Sequence, residues 1–222
     1  MSVTITFLGH SGFHIDSGNH AIVIDPFLSG NDLAKHRPGD LKCDAVLLTH
    51  GHQDHIADAE EIAKNNDATI YGAFELCNYF GELGCKTEPG NPGGQIDTDF
   101  GYVAFTQAFH SSSFDGRYMG MPCGMVVKIG GVTIYHCGDT CLFGDMQLIG
   151  EIYQPHIACI PVGDRFTMGP ALGARAAELI KPKVAVPIHY KTFPLLVSDI
   201  SAFKPHGVDV RVLDPGESMT YG

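Results

Sequence analysis

The stretch Thr49-His50-Gly51-His52-Gln53-Asp54-His55 directly follows the apolar run Ala45-Val46-Leu47-Leu48. It places three imidazoles and a carboxylate within six positions, at the end of what reads as a buried strand. Folding alone does not call for such a knot, because buried polar groups cost free energy unless they are paired or ligate a metal. The alternative is a solvated His-rich loop, which fits poorly behind a buried strand. The knot therefore reads as the floor of a metal site. The rest of the chain has to return further ligands to it.

The local pattern shows where those ligands arise. Val3–Leu8, Phe13–Asp16 and Ala21–Ile24 read as a strand meander, with a turn at Ser17-Gly18-Asn19 and a stop at Asp25-Pro26. Residues 29–41 read as a loop and 43–48 as the strand before the knot, with a helix over 56–65. A short strand at 69–71 and a helix over 74–83, stopped by Gly84, come next. The Gly- and Pro-rich 86–94 reads as loop, and 102–109 as a strand ending at His110. Strands at 124–129 and 132–135 flank the hairpin turn Gly130-Gly131. Helices are expected near 145–151, at 170–180 and at 197–203, with strands at 156–161, 184–188 and 208–213. Meanders mixed with strand–helix units suit an α/β (α+β) fold of packed sheets with helices outside. The absence of a linker or short repeat suggests one domain, 1–222, built from two similar halves.

Composition narrows the function. The 222 residues carry a net charge of −11, which disfavours nucleic acid and anionic membranes as partners. Bound cations would still reverse the field locally. Seven Cys, an odd number with no CxxC pair, suit reduced thiols in a cytoplasmic protein. The stretch Met1–Phe7 has no basic region before an apolar one, so no signal peptide is expected, and no apolar run reaches the ~20 residues of a membrane span.

Zinc-type cations take imidazole nitrogen and carboxylate oxygen, commonly as three protein ligands plus water. His50, His52, Asp54 and His55 are too close in sequence to converge on one ion without strain. Two adjacent ions resolve this, with His50 and His52 on one, and Asp54 and His55 on the other. His110, Asp139 and His189 follow other strands and are the remaining candidates. Taken singly, His110 and His189 read as strand-end or core groups and Asp139 as a turn residue. Their matched positions after strands make them ligands, with Asp139 the natural bridge because each of its oxygens can take one ion.

In this order the residues resemble the metallo-β-lactamase superfamily. The resemblance is closer to its small, uncharacterised metal-dependent hydrolases, related to ascorbate-6-phosphate lactonases. It rests on Gly9-His10-Ser11, Ile24-Asp25-Pro26-Phe27, Leu48–His52, Phe109–Ser113, Tyr135–Thr140, Pro161–Asp164, Phe166–Pro170 and Ile188-His189-Tyr190, which span nearly the whole chain. The resemblance implies a four-layer αββα sandwich with a dinuclear site at one edge, and is compatible with a homo-oligomer. Two positions depart from the family pattern. Gln53 stands where a small residue is usual, and Arg165 where a neutral Asn is expected, which introduces a donor suited to an anionic substrate or a solvated surface Arg.

Two divalent ions about 3.5–4 Å apart share a water and supply hydroxide at neutral pH. Zn2+ is the leading candidate, and Mn2+, Fe2+ and Ni2+ fit the same donors. Asp54 is the catalytic candidate, since it can also orient that nucleophile. His10, Ser11 and Arg165 are the candidate substrate contacts. Cys137 and Cys141 read as incidental thiols. The expected activity is hydrolysis of a small ester, lactone or amide. A phosphodiesterase acting on a small nucleotide is the second reading, and a non-enzymatic metal-binding or sensor protein the third.

Overall fold

The computed structural model describes residues 2–222. Strands are β1 (Val3–Gly9), β2 (Gly12–Asp16), β3 (Ala21–Ile24), β4 (Ala45–Leu47), β5 (Thr69–Ala73), β6 (Lys86–Gly90), β7 (Gln95–Thr98) and β8 (Gly101–Gln107). They continue with β9 (Ser113–Phe114), β10 (Arg117–Tyr118), β11 (Cys123–Ile129), β12 (Val132–His136), β13 (Ile157–Pro161), β14 (Val184–Ile188), β15 (Asp209–Val210) and β16 (Ser218–Tyr221). The helices are α1 (Gln53–Ile56), α2 (Ala59–Asn66), α3 (Phe74–Glu82), α4 (Met146–Tyr153) and α5 (Pro170–Ile180).

Two seven-stranded sheets form, in the orders β16-β1-β2-β3-β4-β5-β6 and β15-β14-β13-β12-β11-β8-β7. Strand side chains alternate between faces, so each sheet has an inner and an outer apolar face. The inner faces share one core: Ile5, Phe13, Ile24 and Leu47 of the first sheet pack with Phe105, Met125, Ile134 and Val186 of the second. Outside the first sheet, Val23, Val46 and Ile70 meet Ile62, Leu76 and Phe80 of α2 and α3. Outside the second, Val126, Ala158 and Ala185 meet Met146, Ala177 and Ile180 of α4 and α5. This is the four-layer αββα arrangement.

Strand directions decide where the ligands emerge. β1, β3 and β4 run the same way in the first sheet. β8, β12, β13 and β14 do so in the second. The candidate ligands therefore follow the C-terminal ends of their strands, as in other open α/β sites.

Several elements differ from the sequence expectation. The helix expected over 56–65 is split, with α1 starting inside the histidine knot and α2 after a break. At that break the Asp58 carboxylate accepts the Leu28 and Ser29 N–H groups at 2.6 and 2.9 Å, which ties the break to the loop after β3. The loop expected over 86–94 contains β6, the outer strand of its sheet, where Pro89 is tolerated. No helix forms over 197–203. There Asp199 accepts the Ser201 N–H at 2.8 Å, a local turn that competes with helix. The strand expected over 208–213 shrinks to β15. The final strand is β16, which pairs antiparallel with β1. Among the described residues no helix is long and apolar enough to cross a membrane.

Candidate metal centre

The histidine knot begins at Thr49, two residues beyond the end of β4. Gly51 is required within it, because a Cβ there would lie 2.3 Å from the Met119 side chain. His52 precedes the first turn of α1, which carries Asp54 and His55 on consecutive helical positions. His110 follows β8, Asp139 follows β12 across Gly138, and His189 follows β14 immediately.

These residues converge. The ligating atoms of His50, His52 and His110 lie within 4.8 Å of one another, as do those of His10, Asp54, His55 and His189, and those of His50, His55 and Asp139. The third group shares His50 with the first and His55 with the second, so Asp139 sits between the two. Its Oδ2 is 2.9 Å from His189 Nε2, 3.5 Å from His55 Nε2 and 3.6 Å from His110 Nε2.

Hydrogen bonds behind the knot fix which nitrogens face inward. Asp25 is fully buried, and its carboxylate accepts the Thr49 N–H at 2.8 Å, the Thr49 hydroxyl at 2.6 Å and the His55 Nδ1–H at 2.8 Å. With its hydrogen given to Asp25, the Thr49 oxygen accepts the His50 Nδ1–H at 3.0 Å. His50 and His55 therefore both turn Nε2 inward. His52 approaches Ser111 Oγ with Nε2 at 3.3 Å and turns Nδ1 toward His50 Nε2 at 3.0 Å. Orienting hydrogen bonds of this kind accompany most metal-bound imidazoles.

The electrostatics fit a cation. Burial holds His50, His52 and His110 below the usual histidine value, keeping their lone pairs free. Burial opposes charge on His55, yet Asp139 and Asp25 on either side outweigh it and pull its pKa well above normal. Burial likewise pushes Asp139 up, but His189 and His55 hold it well below the carboxylate range. The buried His55 Nε2 and Asp139 Oδ1 have no hydrogen-bond partner. Unpartnered buried ligand atoms in a His/Asp cluster are what a divalent ion would satisfy.

His10 belongs to the group with Asp54, His55 and His189. It is 2 % exposed, with Nε2 3.0 Å from Asp54 Oδ2, Nδ1 3.0 Å from the Thr192 hydroxyl, and its ring 4.1 Å from that of His189. Burial and the His189 charge push His10 down to about 4, so it is neutral and donates to Asp54. Burial raises the Asp54 carboxyl, but His10 and His55 outweigh it and hold it below the ordinary range. Ser11 is fully buried, and its carbonyl accepts the His136 Nε2–H at 2.8 Å. Arg165 stands apart from the cluster's polar network. It makes no hydrogen bond or ion pair among the described residues, and its guanidinium lies 5.7 Å from the Phe166 ring centre. Gln53 is exposed at the start of α1. Cys137 is fully buried, which pushes its thiol far up, whereas Cys141 is exposed.

Sequence reasoning missed Asp25 and Thr49 as orienting residues. The available signal was the carboxylate closing the apolar strand Ala21–Ile24, in the same position relative to its strand as the ligands. The backbone at Asp25 has φ +43, at His10 +56 and at His189 +57. Left-handed conformations are rare outside Gly and cluster at functional sites.

Comparison with known proteins agrees with this geometry. The profile described as a beta-lactamase superfamily domain matches residues 4–189. A UPF0173 metal-dependent hydrolase of Bacillus pumilus is 48 % identical over 96 % of this chain and 98 % of its own. One from Geobacillus thermodenitrificans is also 48 % identical, over 97 % and 98 %. The solved structure of Igni18, a metallo hydrolase from Ignicoccus hospitalis, shares 36 % identity over 100 % of this chain and 99 % of its own, with a TM-score of 0.91. The chain belongs to the metallo-β-lactamase superfamily and, within it, to the UPF0173 family of metal-dependent hydrolases.

Proposed function

We propose that this hydrolase holds two adjacent divalent ions and cleaves a small ester, lactone or amide. The observation that carries the reading is the overlap of the donor groups, with Asp139 between the two sets. His50 Nε2, His52 Nδ1 and His110 would hold one ion, and Asp54, His55 Nε2 and His189 the other. Imidazole and carboxylate donors suit Zn2+, with Mn2+, Fe2+ and Ni2+ also compatible. When bound, such a pair supplies an activated water as nucleophile and polarises the electrophile.

The chain's own residues supply position and proton handling. The Asp54 side chain is 27 % exposed against 3 % for Asp139, so Asp54 is the carboxylate that incoming water meets. His10 pins one Asp54 oxygen and keeps the group ionised, so the other oxygen would face the ion and the incoming water together. Asp25 and Thr49 prevent His50 and His55 from turning away. Nothing in this arrangement needs a Ser or Cys nucleophile.

Elemental analysis of the purified protein, followed by a panel of lactones, esters, amides, bis-p-nitrophenyl phosphate and cyclic nucleotides, tests the reading. Two equivalents of metal and turnover of an acyl substrate are expected. His50→Ala with His52→Ala should remove one equivalent, and Asp139→Ala should disturb both. Unchanged stoichiometry in the double variant, or turnover confined to the phosphodiesters, would overturn it.

A further inference from the structure

Beside His110 lies a cavity of about 560 Å³, within the roughly 300–1,000 Å³ range of small-molecule sites. Its walls include Phe109, Ser111, Tyr118, Met121 and Pro122. Phe109, Tyr118 and Met121 are 57, 59 and 55 % exposed, so large apolar side chains gather at one opening. No Asp, Glu, Lys or Arg side chain lines it, in a chain whose net charge is −11. Apolar surface left open to water at one place marks a binding site more often than chance.

The walls are tied to the metal ligands. The Thr140 hydroxyl, next to Asp139, accepts the Phe109 N–H at 3.0 Å. Ser112 Oγ accepts the Gly51 N–H at 3.1 Å, and the Ser112 carbonyl accepts the Met119 N–H at 3.2 Å. Ser111 stands 3.3 Å from His52. The outer wall is the β9–β10 hairpin, turned at Asp115-Gly116 with φ of +49 and +73. Arg117 anchors it to α3 by two bonds to Glu82, at 2.6 and 2.7 Å, and lies 5.5 Å from the Tyr79 ring centre. The cavity is thus polar where it meets His110 and Ser111 and apolar at Tyr118 and Met121.

We propose that this cavity receives an uncharged, apolar group of the substrate, an aryl ring or a medium-length alkyl chain, and so places the scissile carbonyl beside His110. The proposal deepens the acyl-hydrolase reading and rests on it for the word substrate. Tyr118 and Met121 are its specificity residues.

The metal-loaded full chain is assayed on p-nitrophenyl acetate, butyrate, hexanoate and octanoate. Burial of each methylene predicts kcat/KM rising about fourfold per carbon until the cavity is filled. Tyr118→Ser and Met121→Ser should flatten that slope while metal content and thermal midpoint stay those of the parent. The neutral fluorophore N-phenyl-1-naphthylamine is titrated in parallel, because its binding needs no turnover. It should bind the parent and bind each variant at least tenfold more weakly. A flat chain-length profile together with dye binding unaffected by the substitutions overturns the proposal. So does a sedimentation shift from dimer to monomer in the variants, which would make the patch a contact between copies of this chain. Dye binding lost in the variants, with no ester cleaved by the parent, would keep the apolar pocket and refute the acyl-hydrolase reading instead.

Discussion

At Asp25 a single buried carboxylate takes hydrogen bonds from the Thr49 backbone, the Thr49 hydroxyl and the His55 imidazole. Asparagine at this position keeps the shape but replaces one acceptor by a donor. Asp25→Asn should therefore release His50 and His55 to rotate and weaken metal binding about 10- to 100-fold. Competition with a chromogenic chelator measures this. Thr49→Ser, which keeps the hydroxyl, should stay near the parent; equal loss in both would argue against the relay. The cluster at 50–55 stands out in the sequence because its spacing is local and its chemistry has few other uses, whereas His110, Asp139 and His189 are candidates only through their matched positions after strands. Asp25 and Thr49 do not stand out, because an Asp after a strand is usually a turn residue, and only the fold shows what it meets. His10 reads as a substrate contact in the sequence, but its partner Asp54, 44 positions away, is not foreseen there.

The helices were mostly legible from periodicity, and α5 and β14 fall where the pattern predicts. Errors gather at sheet edges. β6, β7 and β16 have half-exposed polar patterns that carry little apolar signal, and they are held by pairing with a neighbour. The α1–α2 break is set by the long-range bonds of Asp58, which no window of sequence contains. Helix ends offer a prediction of their own. α2, α4 and α5 finish on Asp67, Gln154 and Lys181, all left-handed with φ of +55, +45 and +55. Glycine adopts that conformation without the Cβ penalty. Gln154 is exposed, so Gln154→Gly should raise stability by about 0.5–1 kcal/mol, the backbone relief outweighing the added freedom of the unfolded chain. Urea unfolding reads this as a higher midpoint at unchanged slope, and a lower midpoint would refute it.

For the whole molecule, the family resemblance carried the layered architecture, which local patterns alone left as a choice among mixed folds. The shared core between the sheets depends on pairing strands from both ends of the chain, as β1 with β16. The candidate metal ligands come from both sheets, and ions bound only by the folded state would stabilise it by mass action. With free metal near 100 times its dissociation constant, each site contributes about 2.7 kcal/mol. Removing both proposed ions with chelator should then lower Tm by on the order of 10–20 °C for a chain of this size. The far-UV circular dichroism at 20 °C should be retained, because the apolar cores do not include the ligands. Loss of that signal on chelation would show that metal is needed for folding itself.

The left-handed backbone at His10, Asp25 and His189 has a practical consequence for transplanting this chemistry. Side chains grafted onto strand ends of ordinary conformation would leave from the wrong direction, however well their identities were copied. A host scaffold has to accept the turns together with the residues. A design judged only by whether the donors can reach one another would pass inspection and still bind poorly.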